Sequence, residues 1–304
     1  MNNLPAWVCT ELSELRARYI QHRFIFIEGK KLLGYLRCLG ATDSDITSLQ
    51  RVSESLQSDP TLPFRKSRNG RFLFDYKKSS ISRLEYQPFV LSYDEDFVRF
   101  DSNQLRSFEE INDDLQLNTA FQALLCIKSM IINKVYIHPR KNLLPDRHRN
   151  VCTVFNLRTL TTPELLGEPA LEGVHSDGVE HTMTTLLGTK NMSSDSAVTF
   201  IHDAREKNGV SWDNAREHYV LGKVQHRHFL DTLLIVDSEK KHSLSPVYAT
   251  DESQEATRDM LIFFTRRPTA LLHNTNPFDS LDSHEVLPMR IQVPSVGLNV
   301  DSIG

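Results

Sequence analysis

The stretch GVHSDGVEHTMTTLLG, residues 173–188, places two strong metal-ligating side chains, His175 and Asp177, one residue apart. A run with the composition of a β-strand follows at once. If the motif itself is extended, residues i and i+2 point to one face and offer a nitrogen and an oxygen to the same position. Gly178 permits a close turn immediately afterwards. A polar loop without a metal would also explain the motif, because H-x-D pairs often arise by chance.

Two later segments could complete such a site. DTLLIVDSEKKHSLSPV, residues 231–247, reads as an apolar strand and a polar turn, followed by His242 as a second imidazole. EATRDMLIFFTRRP, residues 255–268, places Arg258 at the start of another apolar strand, and a guanidinium can bind a carboxylate through two parallel hydrogen bonds. Two histidines and one carboxylate on one face of a metal form the facial triad of non-haem Fe(II) oxygenases. A 2-oxo acid can fill two of the three open positions, and O2 the third.

The rest of the chain must position these side chains. Residues 1–70 are predicted to be mainly helical, with a short strand at 23–27, and the basic run Pro63–Arg71 is interpreted as a solvated loop rather than a binding patch. From residue 72 onward, short runs rich in aromatic and β-branched residues alternate with polar turns, which is typical of a β-sandwich or barrel. The predicted strands are RFLFDY, PFVLSY, FVRFD, NVCTVFNLRTL, EHTMTTLLG, AVTFIHD, REHYVLGKV, DTLLIVD and RDMLIFFTRR.

These patterns predict a single catalytic domain over residues 1–304 with an α+β fold. Its β core covers residues 72–267 and contains an inserted helix at 105–135. Residues 268–304 form a polar C-terminal extension with one strand-like piece, LPMRIQV. The N-terminal helices and this extension are candidates for a lid or a homodimer contact.

Composition narrows the function further. Hydrophobic residues make up 39%, charged residues 24%, and the net charge is −4, so neither nucleic acid nor a membrane is expected as a partner. The sequence shows no signal peptide and no stretch of 18 apolar residues, and the longest apolar-rich run, 121–132, reads as an amphipathic core helix. The four cysteines form no C-x-x-C pair, so free thiols and a cytoplasmic location are expected. Phosphate-binding and serine-hydrolase motifs are absent from the sequence.

The ordered set of H-x-D, distal histidine and arginine resembles the iron(II)/2-oxoglutarate-dependent dioxygenases. Within them it resembles the group that contains isoleucine dioxygenase and other free-amino-acid hydroxylases. The resemblance covers roughly residues 150–267, and its matching segments are EGVHSDGVEHTMTTLL, NMSSDSAVTFIHD, FLDTLLIVDSEKKHSLSPV and RDMLIFFTR. It implies a double-stranded β-helix, the cupin-like jelly roll. The connection at 205–225 is longer than is usual in the group, which leaves the substrate open.

Carried over to this sequence, the resemblance makes His175, Asp177 and His242 the Fe(II) ligands. Arg258 would then bind the distal carboxylate of 2-oxoglutarate. The implied reaction converts 2-oxoglutarate into succinate and CO2 and oxidises an unactivated C–H bond, with ascorbate as the reductant in an assay. The implied substrate is a small free amino acid, branched and aliphatic. The product is an alcohol, an alkene or a ring such as an aziridine.

The residues that contact the substrate are less constrained. Side chains alternate between the two faces of a strand, so Ile262 and Phe264 lie on the same face as Arg258. There they form either an apolar wall near the iron or ordinary sheet core. Asn156 and Arg158 share a face of another strand. The resemblance puts this pair near the substrate, although an ion pair would explain Arg158 equally well.

Three further residues could contribute to the site. Either Thr184 or Thr185 should face the cavity, and Thr185 is the candidate substrate contact. Asp237 is expected either to support the metal ligands or to stabilise a turn.

Competing functions remain open at this point. His226 and His228, an H-x-H pair near Asp231, could form a rival metal site. A zinc-dependent hydrolase could use the same three ligands. A non-catalytic jelly-roll binding module and a protein-modifying oxygenase are also compatible with these patterns.

Overall fold

The computed structural model describes residues 4–90 and 102–294. In chain order the described elements are α1 (Ala6–His22), β1 (Phe24–Ile27), α2 (Gly29–Cys38), α3 (Asp43–Leu49), β2 (Arg65–Asp75), β3 (Ser80–Leu84), β4 (Glu109–Glu110), α4 (Asp113–Gln116), α5 (Thr119–Ile132), β5 (Arg149–Thr161), β6 (His181–Lys190), β7 (Val198–Asp203), β8 (Val220–Gln225), β9 (Thr232–Val236), β10 (Lys240–Leu244), β11 (Ala256–Arg266) and β12 (Arg290–Gln292).

The described strands form two sheets. The major sheet has the order β1-β9-β6-β11-β5-β2-β3-β12, with the short β4 parallel to β2, and the minor sheet has the order β10-β7-β8. The other pairings between these strands are antiparallel. Residues of both sheets line one internal cavity. This arrangement is the α+β jelly roll with N-terminal helices that the sequence predicts.

Strand β11 lies at the centre of the major sheet, between β5 and β6. Its alternate residues therefore face opposite sides of the sheet. Met260 and Ile262 line the cavity, whereas Leu261 and Phe263 pack into the main hydrophobic core with the helices. One face of the major sheet thus packs against the helices, and the other face lines the cavity.

Helix α5 lies in the core, as the sequence predicts, but it is buried on almost every side, so the prediction that it is amphipathic is wrong. Lys128 is fully buried, and its ammonium group donates to the carbonyl oxygens of His181 in β6 and Phe263 in β11. A buried ammonium group needs such acceptors to offset the loss of hydration. Lys128 therefore ties α5 to the centre of the major sheet.

Several element boundaries differ from the predictions. The mainly helical N-terminal part ends earlier than residue 70, because β2 begins at Arg65. The helix expected from residue 105 begins only at Asp113. The predicted strand FVRFD and the second half of PFVLSY lie outside the described residues. The division of the chain into domains stays a prediction.

The basic run at residues 63–71 is not a solvated loop. Most of it belongs to β2, which pairs with β5 along its length. Arg68 is buried and pairs with Asp114, and Arg71 is buried and pairs with Asp279. These partners are distant in sequence, so the run itself gives no sign that its charges are matched inside the protein. Of the helices in the described ranges, none is long and apolar enough to cross a membrane.

Candidate metal centre

Three side chains converge between the two sheets. The Nε2 atoms of His175 and His242 lie 3.4 and 3.6 Å from Oδ1 of Asp177. The ligand atoms of the three residues lie within 4.8 Å of one another. Their side chains are only 10–12% exposed. Within the described part of the chain, no other group of three or more His, Cys, Asp or Glu residues is arranged to hold an ion.

The motif that carries His175 and Asp177 is a loop, and the prediction that it is an extended strand is wrong. Within it, His175 forms an isolated antiparallel bridge to His242 in β10, through two backbone hydrogen bonds of 2.9 Å. Gly173 and Gly178 have φ angles of 71° and 79°, which bend the chain on either side of the motif. The turn predicted at Gly178 is therefore present, and the bridge, rather than a strand, brings the two imidazoles together.

Hydrogen bonds fix how the three side chains face one another. Nδ1 of His175 lies 2.8 Å from the carbonyl oxygen of Gly173. A carbonyl can only accept, so Nδ1 carries a proton and Nε2 is the nitrogen that faces Asp177. Thr182 donates to Oδ2 of Asp177 over 2.7 Å, which leaves Oδ1 facing both imidazoles. Two nitrogens and one oxygen therefore point to one position, as a facial triad requires.

Asp237 holds the loop from behind. Its Oδ1 accepts from the backbone N–H of Asp177 over 2.8 Å, and its Oδ2 accepts from the N–H of Val179 over 3.2 Å. Arg140 donates to the same Oδ2 over 2.9 Å and to the carbonyl of Val179 over 2.6 Å. Asp237 therefore fixes the backbone on both sides of Gly178, so it supports the metal ligands and stabilises the turn at the same time.

In the absence of an ion, the three side chains of the triad differ strongly in pKa. Burial would raise the pKa of Asp177, but the imidazoles of His242 and His175 hold it well below its ordinary value. Burial would lower the pKa of His175, but the hydrogen bond to Asp177 and the charge of Glu172 raise it to about 9. Burial lowers the pKa of His242 to about 4, against the opposing effect of Asp177. At neutral pH the metal-free site therefore holds a proton on His175.

Arg258 lines the same cavity, but it lies several residues along the major sheet from the triad. Thr182 stands opposite Phe264 in the ladder between β6 and β11, whereas Arg258 stands opposite Thr189. Arg258 is 3% exposed, and its Nε has no hydrogen-bond partner among the described residues. No carboxylate of those residues forms an ion pair with it, and burial lowers its pKa to about 10. A buried guanidinium without a counter-charge is an expected binding group for an anion.

The cavity between these groups has a volume of about 120 Å³. Ile262 and Phe264 line it, as the period of β11 predicts. They pack with an apolar cluster whose other members include Phe89, Phe108, Phe155, Leu157 and Met260. One side of the cavity is therefore apolar and aromatic.

Asn156 and Arg158 do not reach the cavity, and the prediction that they contact a substrate is wrong. Positions 155, 157 and 159 of β5 line the cavity, so the even-numbered residues between them face the other side of the sheet. Asn156 donates to Ser53 and accepts from Arg68 there. Arg158 forms a bidentate ion pair with Asp259, at 2.6 and 2.7 Å, which is the second role that the sequence allows for it.

Thr185 is also misplaced by the prediction. It is fully buried on the helix side of β6, where its hydroxyl pairs with that of Thr232 over 2.8 Å. Thr184, the other candidate, lines the cavity, and its hydroxyl contacts Nε2 of His226 over 3.1 Å. Alternation along the strand requires these two threonines to face opposite ways, but it does not say which of them faces the cavity.

The rival H-x-H pair does not form a metal site. His228 is exposed, whereas His226 is buried. One carboxylate oxygen of Asp231 accepts from the backbone of Arg227 and His228, and the other accepts from that of Gly29. Asp231 is therefore a structural residue that stabilises the turn before β9.

Sequence reasoning misses much of the cavity lining. Thr182, Glu172 and Arg106 line the cavity, and none of them is among the residues predicted from the sequence. Thr182 follows the motif at a spacing that could have marked it as a partner of Asp177. Glu172 begins the matched segment EGVHSDGVEHTMTTLL, but nothing in that segment assigns it a role.

Comparison with known proteins adds to this geometry. Residues 50–264 match the family 2OG-Fe dioxygenase. The chain belongs to this family. Non-haem Fe(II), 2-oxoglutarate and O2 are therefore its cofactors. The assignment from sequence to the iron(II)/2-oxoglutarate-dependent dioxygenases is confirmed, whereas the narrower group of free-amino-acid hydroxylases stays a prediction.

Individual relatives of this dioxygenase agree with the family. It is 46% identical over 278 residues to the bifunctional enzyme flvA of Aspergillus flavus, a match that covers 91% of this chain and 34% of flvA. The chain thus spans about a third of the length of this curated relative. It is 50% identical to the solved Fe(II)/(alpha)ketoglutarate-dependent dioxygenase TqaL, with a TM-score of 0.82 over 95% of this chain and 97% of TqaL. IDO from Bacillus thuringiensis shares the fold, with 16% identity and a TM-score of 0.64 over 84% and 99% of the two chains.

Proposed function

We propose that this dioxygenase oxidises an unactivated C–H bond of a small free amino acid with a branched aliphatic side chain. The observation that carries the proposal is the apolar wall of Ile262, Phe264 and Phe155 in the cavity that also holds the triad. Burial of a few methyl groups against such a wall contributes about 0.8 kcal/mol for each CH2 group removed from water. A cavity of about 120 Å³ suits a small molecule better than a segment of another protein.

We assign Fe(II) to His175, Asp177 and His242. Their donor set matches the two histidines and one carboxylate that non-haem iron prefers, and their three donor atoms converge from one side. When bound, Fe(II) with 2-oxoglutarate activates O2 and couples the release of succinate and CO2 to oxidation of the substrate. The two imidazoles and the carboxylate would hold the ion from one side and leave its other side to the cavity.

We assign the distal carboxylate of 2-oxoglutarate to Arg258. The guanidinium is buried, faces the cavity and has no carboxylate partner among the described residues. The dianion would supply the missing charge and a bidentate acceptor. Thr184, on the neighbouring strand, lines the same cavity.

The remaining chemistry depends on how the substrate is held. Ile262 and Phe264 exclude water and position an aliphatic side chain toward the triad. Hydroxylation is the expected outcome when the oxidised carbon is held near the metal. Ring closure, as in an aziridine, or desaturation is expected when the wall holds another group of the substrate next to the oxidised carbon.

The direct test of this function is succinate formation. Purified protein would receive Fe(II), ascorbate, 2-oxoglutarate and pools of proteinogenic amino acids. We expect one pool to raise succinate well above the background without substrate, and the product to show which carbon was oxidised. Anaerobic titration separates the competing functions, because only Fe(II) with 2-oxoglutarate gives a visible charge-transfer band. A zinc-dependent hydrolase or a non-catalytic jelly roll would give neither the band nor succinate. The cytoplasmic location and the homodimer stay predictions.

Metal affinity should rise with pH. In the metal-free site His175 has a pKa of about 9, so metal binding below pH 9 must displace its proton. We expect the affinity for Co(II), measured by anaerobic titration, to rise about tenfold per pH unit between pH 6.5 and 8.5 and then to level off. An affinity that does not change over this range would show that His175 holds no proton in the free site.

Asp237→Asn should weaken metal binding without removing a ligand. An amide has one acceptor oxygen, so it cannot accept from both Asp177 and Val179 and also pair with Arg140. Loss of such support typically lowers metal affinity by about 10- to 100-fold. Iron titration would measure it. Glu239→Gln is the matched control. Glu239 lies near Asp237 but pairs with Arg23 rather than with the ligand loop, so this variant should bind iron as the wild type does.

A further inference from the structure

The long connection between β7 and β8, residues 204–219, lies next to the ligand loop, and the structure describes it in full. Apart from a short 3-10 turn at Glu217–Tyr219, it contains no helix or strand. None of its residues lines the cavity. Such a segment can still act on the metal centre, through the backbone that carries the ligands.

The connection is hydrogen-bonded to the residue that precedes His175. The backbone N–H of Val174 donates to the carbonyl oxygen of Val210 over 2.7 Å, and the carbonyl of Val174 accepts from the N–H of Gly209 over 2.9 Å. A Cβ atom on Gly173 would lie 2.4 Å from the same carbonyl oxygen of Val210, so the contact requires a glycine there. The connection and the ligand loop are therefore in direct backbone contact.

The backbone groups of the ligand loop alternate between two neighbours. Those of Val174 bond to the connection, whereas those of His175 bond to His242 in β10 over 2.9 Å. Consecutive residues of a bridged segment present their N–H and C=O groups to opposite sides, which produces this alternation. The loop is thus held between β10 on one side and the connection on the other. A shift of His175 would break at least one of these pairs of hydrogen bonds.

A second contact reaches the strand of the other histidine. The ammonium group of Lys241, which precedes His242 in β10, donates to the carbonyl oxygen of Glu206 over 2.7 Å. The ring of Trp212 stacks on that of Phe200 in β7, with 5.6 Å between the ring centres, and β7 pairs with β10 along its length. The connection therefore contacts both segments that carry a histidine of the triad.

Glu206 holds the connection together from within. Its side chain is 1% exposed. Its carboxylate accepts from the guanidinium of Arg216 at 2.8 and 3.0 Å, and from the backbone N–H groups of Arg216 and Lys207, both at 2.8 Å. A buried carboxylate needs such donors, and here they join the two ends of the connection. The segment between 206 and 216, which includes Gly209 and Val210, is thereby closed into one loop.

We propose that the β7–β8 connection positions both histidines of the triad for Fe(II), and that Glu206 is the positioning residue on which the shape of the connection depends. This inference rests on the assignment of Fe(II) to the triad. Glu206 acts through the backbone of residues 209–210 and through Lys241, not as a ligand. Support of this kind typically changes metal affinity by about 10- to 100-fold.

Co(II) is the probe for this effect, because its visible absorption depends on how its ligands are arranged. In an anaerobic titration, Glu206→Ala should raise the Kd for Co(II) by about tenfold or more and alter the visible spectrum of the fully loaded protein. Glu206→Gln keeps one acceptor oxygen for Arg216, so its Kd should lie between those of the wild type and Glu206→Ala. The matched control is Glu217→Ala, which removes an exposed carboxylate from the same connection and should keep both the Kd and the spectrum.

Coupling between two sites is reciprocal, so the metal should also act on the connection. Trp212 reports on the connection once the second tryptophan of the chain is replaced in a Trp7→Phe background. In the metal-free protein, Glu206→Ala should increase the quenching of Trp212 fluorescence by iodide severalfold. Saturating Zn(II) should reverse part of this increase, because the bound ion fixes His175 and His242. A residue that only stabilised the fold would not make Trp212 respond to the metal.

Two results would overturn the inference. If Glu206→Ala exposes Trp212 to iodide but keeps the Kd and the spectrum of Co(II), the connection does not position the ligands. If Trp212 stays as shielded as in the wild type, Glu206 does not hold the connection. Should Glu206→Ala fail to fold, Arg216→Gln decides, since it removes only the exposed partner of Glu206 and should show the same changes at a smaller size.

Failure of the triad assignment itself is recognised separately. In that case His242→Ala would keep tightly bound metal. If only the present inference fails, His242→Ala loses the metal, whereas Glu206→Ala binds Co(II) with the affinity and the spectrum of the wild type.

Discussion

His242→Ala should abolish succinate formation with every substrate. The substitution removes one of three ligands that converge on a single position, and the remaining His175 and Asp177 cannot hold iron in the same geometry. A metal site contributes several kcal/mol to lowering the reaction barrier, so the loss of turnover should be on the order of a thousandfold or more. Succinate release and anaerobic iron titration would measure the two effects in parallel.

The matched control is His228→Ala. His228 also belongs to a histidine-rich motif, but it is exposed and lies outside the triad. We expect this variant to bind iron and to release succinate as the wild type does. If His242→Ala keeps a full equivalent of tightly bound Fe(II), the metal lies elsewhere and the assignment of the triad is wrong.

Arg258→Gln should have the second-largest effect, on 2-oxoglutarate rather than on iron. Removal of one partner from a buried charge pair typically costs about 2–5 kcal/mol, which corresponds to roughly a 30-fold or larger rise in the KM for 2-oxoglutarate. Arg258→Lys should have a KM for 2-oxoglutarate between those of the wild type and Arg258→Gln, because lysine keeps the charge but lacks the planar guanidinium. Succinate formation as a function of 2-oxoglutarate concentration, with iron held at saturation, would give the values.

The stability of the ligand-free protein gives a second readout. Arg258 is buried without a carboxylate partner among the described residues, so Arg258→Gln should raise the melting temperature of the free protein and lower the shift caused by 2-oxoglutarate. Arg158→Gln is the contrast, because it breaks the ion pair with Asp259 on the helix side of the sheet. That variant should lose stability and keep its affinity for 2-oxoglutarate. The reverse pattern would show that Arg258 is a structural residue.

Local sequence determined the chemistry of the site more fully than its architecture. The residue types and order of His175, Asp177, His242 and Arg258, together with the family that they resemble, indicate non-haem iron and an anionic co-substrate. The period of two in β11 likewise places Ile262 and Phe264 on the face of Arg258. Both conclusions depend only on side-chain chemistry and on the alternation that every strand shows.

The tertiary structure decided which face of each strand meets the cavity. Both sides of the major sheet are covered, so β5 and β6 show no polar face that would mark the exterior. The sequence therefore predicts the wrong side for Asn156, Arg158 and Thr185, although alternation with the cavity residues is plain in both strands. Their hydrogen-bond partners Ser53, Asp259 and Thr232 are distant in sequence, so no local pattern predicts these contacts.

The tertiary structure also decided how the ligands are held. The bridge between His175 and His242, and the hydrogen bonds of Asp237 to the ligand loop, join segments that are about 60 residues apart. Glu172 and Arg106 line the cavity from separate loops. The sequence by itself thus indicated the metal and the co-substrate, since the order of the ligand residues and of Arg258 matches that of a known family. The substrate surface follows from contacts between distant segments, and these exist only once the two sheets have closed around the cavity.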